Sequence, residues 1–211
     1  MDVSRQRDRE GAEPERGPRA RTRRLLLDTA TRLMREGSTP SVSAVAEAAG
    51  VSRATAYRYF PSQAALVEAV VAGALGPILR WQPEGGDAAA RTDSLLAVAM
   101  PRIEAFQATF EAALVLSLGR DVEGTGPRFT RGHRIELLRR ALAPLDGALA
   151  PQALERLTQG LSLVFGVETL IVLKGIWGRD GREATETVRC AAAALIRAAL
   201  LEAAEEKRSP G

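Results

Sequence analysis

Six of the eight positions from Ser52 to Tyr59 carry hydrogen-bonding side chains: Ser52, Arg53, Thr55, Tyr57, Arg58 and Tyr59. None of these groups makes or breaks a covalent bond easily in such a setting, but all can read or grip a polyanion. An arginine can hold guanine through two parallel hydrogen bonds, and a threonine offers a hydroxyl or a methyl to a base edge. Phenolic groups suit phosphate oxygens, which positions a protein on DNA without specifying sequence. Arg58 suits either role. Packing against a neighbouring helix is the competing expectation for Tyr57 and Tyr59. Conventional catalytic chemistry is thinly supplied elsewhere. The chain has one histidine, His133, and one cysteine, Cys190. With no nucleophile elbow, phosphate loop or metal-ligand spacing, the expectation is a protein that is not an enzyme and has no metal site or cofactor.

Positioning such a set requires a short rigid helix, and the flanking residues provide one. Ser52 is suited to cap it by accepting a hydrogen bond from a first-turn N–H, and the N–H groups left over favour a phosphate. Pro61 ends it. Upstream, Ser41 caps another short helix, with Val42, Val45 and Ala46 as its apolar positions, ending at Gly50. Two short helices joined by a Gly-containing turn make a helix-turn-helix, whose second helix fits the major groove of DNA. An earlier helix leads from the cluster Arg19, Arg21, Arg23 and Arg24 to about Glu36, closed by Gly37. Leu33, Val45, Ala46, Val51, Ala56, Phe60 and Leu66 are the expected three-helix core.

Charge is distributed to match. The net charge is only +3, yet residues 1–66 carry +4 and residues 67–211 carry −1. A basic excess confined to the part with the helix-turn-helix is the electrostatic footprint of a nucleic-acid reader. Apolar residues make up 45% and charged residues 26%, a globular composition. No apolar run reaches the roughly 18 residues that span a bilayer, and the Arg-rich start has no apolar signal region. A cytoplasmic protein without a membrane partner is expected.

The run VSRATAYRYFPS from Val51 to Ser62, preceded by VAEAAG, resembles the DNA-binding domain of the tetracycline-repressor (TetR) family. The close likeness covers roughly residues 21 to 70. It implies an all-α protein of about nine helices, with a three-helix DNA-binding domain followed by a helical ligand-binding and dimerisation domain. The expected organisation is an Arg-rich disordered arm over 1–18, the DNA-binding domain over 19–66 and the regulatory domain over 67–211. Ser41, Ser43, Ala54 and Gln63 join the six residues above as the candidate DNA interface. Gln63 departs from the lysine usual at its place, keeping a donor but losing a charge. Ala54 and Ala56 replace the commoner Gly and Leu.

Beyond residue 82 the pattern stays helical. Pro77 is expected to kink or end the fourth helix, which runs from Ser62 to about Leu79. Two long helices, about Pro151–Ile176 and Arg182–Glu205, close the chain. The segment Leu161–Leu173 is apolar on nearly every side and so must bury two faces. By resemblance, these last two helices form a homodimer interface. Glu168 interrupts the apolar segment, and a buried carboxylate needs a partner. That partner is either an arginine such as Arg134, Arg139 or Arg140, or a ligand. Phe106, Phe110, Phe129, Leu137 and Phe165, with His133 and Glu168, are the candidate lining of an effector pocket; plain core packing is the alternative for the aromatic residues. The function expected is a ligand-responsive repressor that binds a palindromic double-stranded operator and an unknown small molecule. A DNA-organising or protein-partner module with the same head and no inducer is the alternative.

Overall fold

The computed structural model of the chain describes residues 17–118 and 133–208. These contain ten α-helices and no strand, so the all-α expectation holds. The N-terminal part comprises α1 (Pro18–Arg35), α2 (Val42–Ala48) and α3 (Arg53–Tyr59). Then follow α4 (Gln63–Leu79), α5 (Ala88–Ala105) and α6 (Gln107–Leu118). Beyond the second gap lie α7 (His133–Leu142), α8 (Pro151–Leu163), α9 (Val167–Leu170) and α10 (Gly181–Arg208). Residues 119–132 fall outside the described residues, as does all of the arm except Gly17 and Pro18. Pro18 is already helical. Its ring fixes φ where a first helical residue needs it, and the missing N–H would have had no partner there.

Four N-caps set the register of the first half. The side chains of Ser41, Ser52, Ser62 and Asp87 accept from the backbone N–H groups of Ala44, Thr55, Ala65 and Ala90. Each satisfies a donor that a helix start leaves unpaired. Two hydrophobic cores result. Leu26, Ala30, Met34, Val45, Ala56 and Phe60 pack with Leu66, Val67 and Val70 of α4 and with Ala112 of α6. Leu33 and Val51, expected inside, lie only partly buried at its margin; Met34, one residue on, is the side chain fully enclosed. The larger core gathers α5, α7, α8 and α10 around Leu95, Leu96, Met100, Leu138, Leu161 and Ile196, and the end of α4 enters it through Ile78.

The fourth helix runs to Leu79 as expected, with Pro77 inside its last turn rather than ending it. Proline offers no N–H to the Gly73 carbonyl four residues back. Arg102 of α5 fills that need, donating from Nη2 to the Gly73 carbonyl at 3.4 Å and from Nε to that of Ala74 at 3.0 Å. The same guanidinium lies 4.3 Å from the centre of the Phe106 ring, and that of Arg35 lies 4.8 Å from it.

The stretch Pro151–Ile176 is not one helix. It breaks between Leu163 and Val167, bends by 50°, and continues as α9 and a wider π-type turn over Ile171–Ile176. Gly166 makes the break, with φ at +154°. Carbonyls freed at the end of α8 find new donors: Arg134 Nη1 reaches Ser162 at 2.9 Å and the Thr169 hydroxyl reaches Leu163 at 3.2 Å. No single helix among the described residues is long and apolar enough to cross a membrane.

Arg102→Ala should cost about 1 kcal/mol, the order of a net hydrogen bond, together with the lost cation–π contact. Thermal unfolding by circular dichroism should show a fall in Tm of several degrees. A second outcome concerns pH. Asp93 of α5 and Arg189 of α10 form a bidentate pair, with Arg189 Nη2 2.6 Å from Asp93 Oδ2. Hydrogen bonding to Arg189, against a smaller opposing effect of burial, holds the Asp93 carboxyl below its usual range. A depressed carboxylate contributes stability above its unfolded pKa and loses it as pH falls through the folded value. Asp93→Asn should therefore be less stable than the wild type at neutral pH, and the gap in chemical-denaturation midpoints should close in acid.

Candidate nucleic-acid interface and adjoining cavity

The turn from Ala49 to Ser52 aims α3 outward. Gly50 adopts φ +66°, a conformation natural to glycine, and the Val51 N–H closes on the Ala46 carbonyl at 3.0 Å. Of α3 itself only Ala56 is fully buried. Ser52, Arg53, Ala54, Tyr57 and Arg58 are exposed, while Thr55 and Tyr59 are half-buried. Ser52 Oγ accepts from the Thr55 N–H at 3.2 Å and donates to Thr55 Oγ1 at 2.9 Å. The Thr55 hydroxyl proton is thus left to point elsewhere. Tyr57 OH lies 3.4 Å from Ser43 Oγ, which links α2 and α3 on their exposed side. Tyr59 rests its ring on the N-terminal core, with the Arg58 guanidinium 5.7 Å from the ring centre. Ser41 is spent as the α2 cap. Gln63 donates its amide to the carbonyls of Thr39 and Pro40, at 2.9 and 3.2 Å, tying the start of α4 to the α1–α2 link.

Five arginines of the second half, and Arg32 of α1 with Glu36, are ion-paired. Arg134, Arg140, Arg179, Arg182 and Arg189 each hold a carboxylate. Among the described residues no carboxylate pairs with Arg53 or Arg58, nor with Arg19, Arg21, Arg23 or Arg24 on α1. Their positive field is therefore not neutralised locally.

A cavity of about 460 Å³ opens between α4, α6, α7 and the α8–α9 break. Leu75, Ile78, Ile103, Phe110, Leu137 and Phe165 contribute apolar walls. Its polar rim is Ser117, His133, Arg134, Ser162 and Glu168. Arg134 Nη2 donates to both carboxylate oxygens of Glu168, at 2.8 and 3.1 Å. Glu168 is not buried: 47% of its side chain is accessible, because the break turns it to the cavity mouth.

The model for bacterial regulatory proteins of the tetR family matches residues 26–70. Residues 26–70 thus resemble the tetR-family regulatory proteins. Over 56 residues it is 41% identical to the HTH-type transcriptional repressor LfrR of Mycolicibacterium smegmatis; the match spans 26% of this chain and about 30% of that relative's length. A TetR transcriptional regulator from Rhodococcus sp. RHA1 shares the fold, with a TM-score of 0.54 at 21% identity over 85% of this chain and 97% of its own. A tetR-family transcriptional regulator from Streptomyces coelicolor does so with a TM-score of 0.60 at 24% identity, over 86% and 83% of the two chains.

Within this tetR-like frame the candidate pocket residues separate. Phe110, His133, Leu137, Phe165 and Glu168 come together around the cavity. Phe106 does not line it; it lies buried at the α5–α6 junction beneath Arg35 and Arg102. Phe129 lies outside the described residues. Sequence reasoning missed Arg102, whose signal was Pro77, and missed the role of Gly166, a lone glycine inside an apolar run.

A methyl added at Gly166 would collide with the Arg134 guanidinium and the Glu168 carboxylate. Gly166→Ala should therefore destabilise the protein by about 1–3 kcal/mol, as strained backbone positions do. Gly160→Ala in α8 meets only ordinary contact with Leu195; it should be neutral or stabilising by about 0.5–1 kcal/mol. Paired thermal melts of the two variants check this.

Proposed function

We propose that this chain is a ligand-responsive transcriptional repressor that binds a palindromic operator as a homodimer. The observation that carries the DNA-binding part is the outward face of α3, where Arg53 and Arg58 stand exposed without a carboxylate partner beside a capped helix start. Arg53 and Thr55 in the first turn are the base readers. Tyr57, Tyr59, Ser43 and the exposed α1 arginines are backbone contacts. The similarity of this head to that of LfrR, a transcriptional repressor, supports the sign of regulation.

A two-fold follows from the demands of the site. Half-sites one helical turn apart, about 34 Å, are met by two copies related by symmetry. The second half of the chain supports this with apolar side chains left in solvent. Leu163 is 81% exposed, Ile176 76% and Trp177 67%, and Leu201 is exposed on α10. The apolar run thus buries one face in its own subunit and offers the other, together with Leu201 of α10, to a partner. The cavity supplies the place for an effector, and its walls include Leu75 and Ile78 of α4.

Selection of bound sequences from random DNA by the full chain tests the reading. An inverted repeat should be enriched. Arg53→Ala and Thr55→Ala should each relax preference at one position of each half-site, by about 1–3 kcal/mol for a lost base contact. Tyr59→Phe should weaken all sequences alike. Unchanged preference in Arg53→Ala would remove the first turn of α3 as the reader, and no enrichment at all would remove the operator.

A further inference from the structure

The rim of the cavity is rich in polar groups, yet its charges are already spent on one another. Glu168 and Arg134 are the charged residues among the described lining, and they form a pair with two hydrogen bonds. Arg134 is held further by the Ser162 carbonyl. The two serines of the rim also point their protons into the protein: Ser117 donates to the Leu114 carbonyl and Ser162 to that of Gln159, both at 2.8 Å. His133 completes the rim.

A ligand that carried a full charge into this space would meet no uncommitted counter-ion among the described lining residues. An anion would have to take Arg134 from Glu168 and leave that carboxylate facing it. A cation would have to take Glu168 and leave Arg134 unpaired. In either case the new ion contact only replaces the one it breaks, so it adds little, and the ligand charge must still shed its own water against the apolar walls. An uncharged molecule needs no such exchange. Its body can displace water from the apolar walls at roughly 25 cal/mol per Å², while hydroxyl lone pairs on Ser117 and Ser162 accept from a weak donor. The space, about 460 Å³, falls in the range of about 300–1,000 Å³ usual for small-molecule sites.

We infer that the effector of this cavity is an uncharged, largely apolar molecule, selected because the Arg134–Glu168 pair closes the rim to ligand charge. This rests on the reading of the cavity as the effector site, and the two fail differently under test. Three probes with one ring system separate them: N-phenyl-1-naphthylamine, its 8-sulfonate, and a trimethylammonium derivative. Fluorescence titrations are run on the full chain at pH 8. An Ala113→Phe variant, which narrows the cavity from α6, measures binding elsewhere on the surface.

The uncharged probe should bind the wild type at least tenfold more tightly than either charged one, and Ala113→Phe should abolish the difference. Glu168→Gln keeps the shape of the rim and frees Arg134; it should bring the sulfonate to within threefold of the uncharged probe and leave the ammonium probe weak. A sulfonate or ammonium probe that binds the wild type within threefold of the uncharged one overturns the charge selection while leaving the cavity a binding site. If no probe distinguishes the wild type from Ala113→Phe, the cavity itself is not a site and the inference falls with it.

Discussion

One helix has to serve two cores, and most of the architecture answers to that demand. The first turns of α4 place Leu66, Val67 and Val70 beneath the helix-turn-helix, and its last turns place Ile78 among the side chains of α5, α7 and α8. A helix shared in this way must be stiff from end to end. Pro77 threatens that stiffness by removing a backbone hydrogen bond near the far end. The guanidinium of Arg102 restores the lost pairing from outside the helix. That same group covers Phe106 together with Arg35 from the end of α1. The repair of α4 and the seam between the two cores are therefore one piece of chemistry.

The near end of α4 is fixed by a different device. Ser62 caps it, and the Gln63 amide reaches back to Thr39 and Pro40. A cationic side chain here would project a point charge towards a phosphate. Glutamine, with two N–H donors and no charge, instead closes two carbonyls in the link between α1 and α2. The domain gains an internal tie where a long-range electrostatic contact would otherwise stand. Basic charge is retained close by, on α1 and α3, in arginines without carboxylate partners.

How much of this could be read in advance depended on how local its cause was. Ser41, Ser52 and Ser62 each act within three residues of themselves, so the starts of α2, α3 and α4 were legible to the residue. The outward set on α3 was legible for the same reason, since a seven-residue helix with one buried alanine has few ways to face. Phe106 shows the opposite case. An aromatic residue in an apolar stretch says that it is covered, but not by what, and the two arginines over it come from α1 and α5. Leu161–Leu173 misled through its uniformity. Hydrophobic periodicity cannot register a break when both sides of the break are apolar. The one local sign was Gly166, and its meaning depended on Arg134, more than thirty residues away.

Gly166 also marks where the cavity and the outward apolar surface come together. Bending the chain there brings Glu168 to the cavity mouth, while Leu163 at the end of α8 stands in solvent beside it. Straightening it would return Glu168 to an apolar environment and take the Ser162 carbonyl from Arg134. The bend is thus held by the ion pair, and the ion pair needs the bare Cα that only glycine supplies at that point. Under the proposed function, a molecule in the cavity touches both this clamp and the walls formed by α4. Such a molecule can shift the protein only by as much as it prefers one arrangement of those walls over another. A ligand that left the clamp closed and acted on Leu75 and Ile78 alone would spend its whole preference on α4, the helix whose opposite end supports the DNA-facing surface.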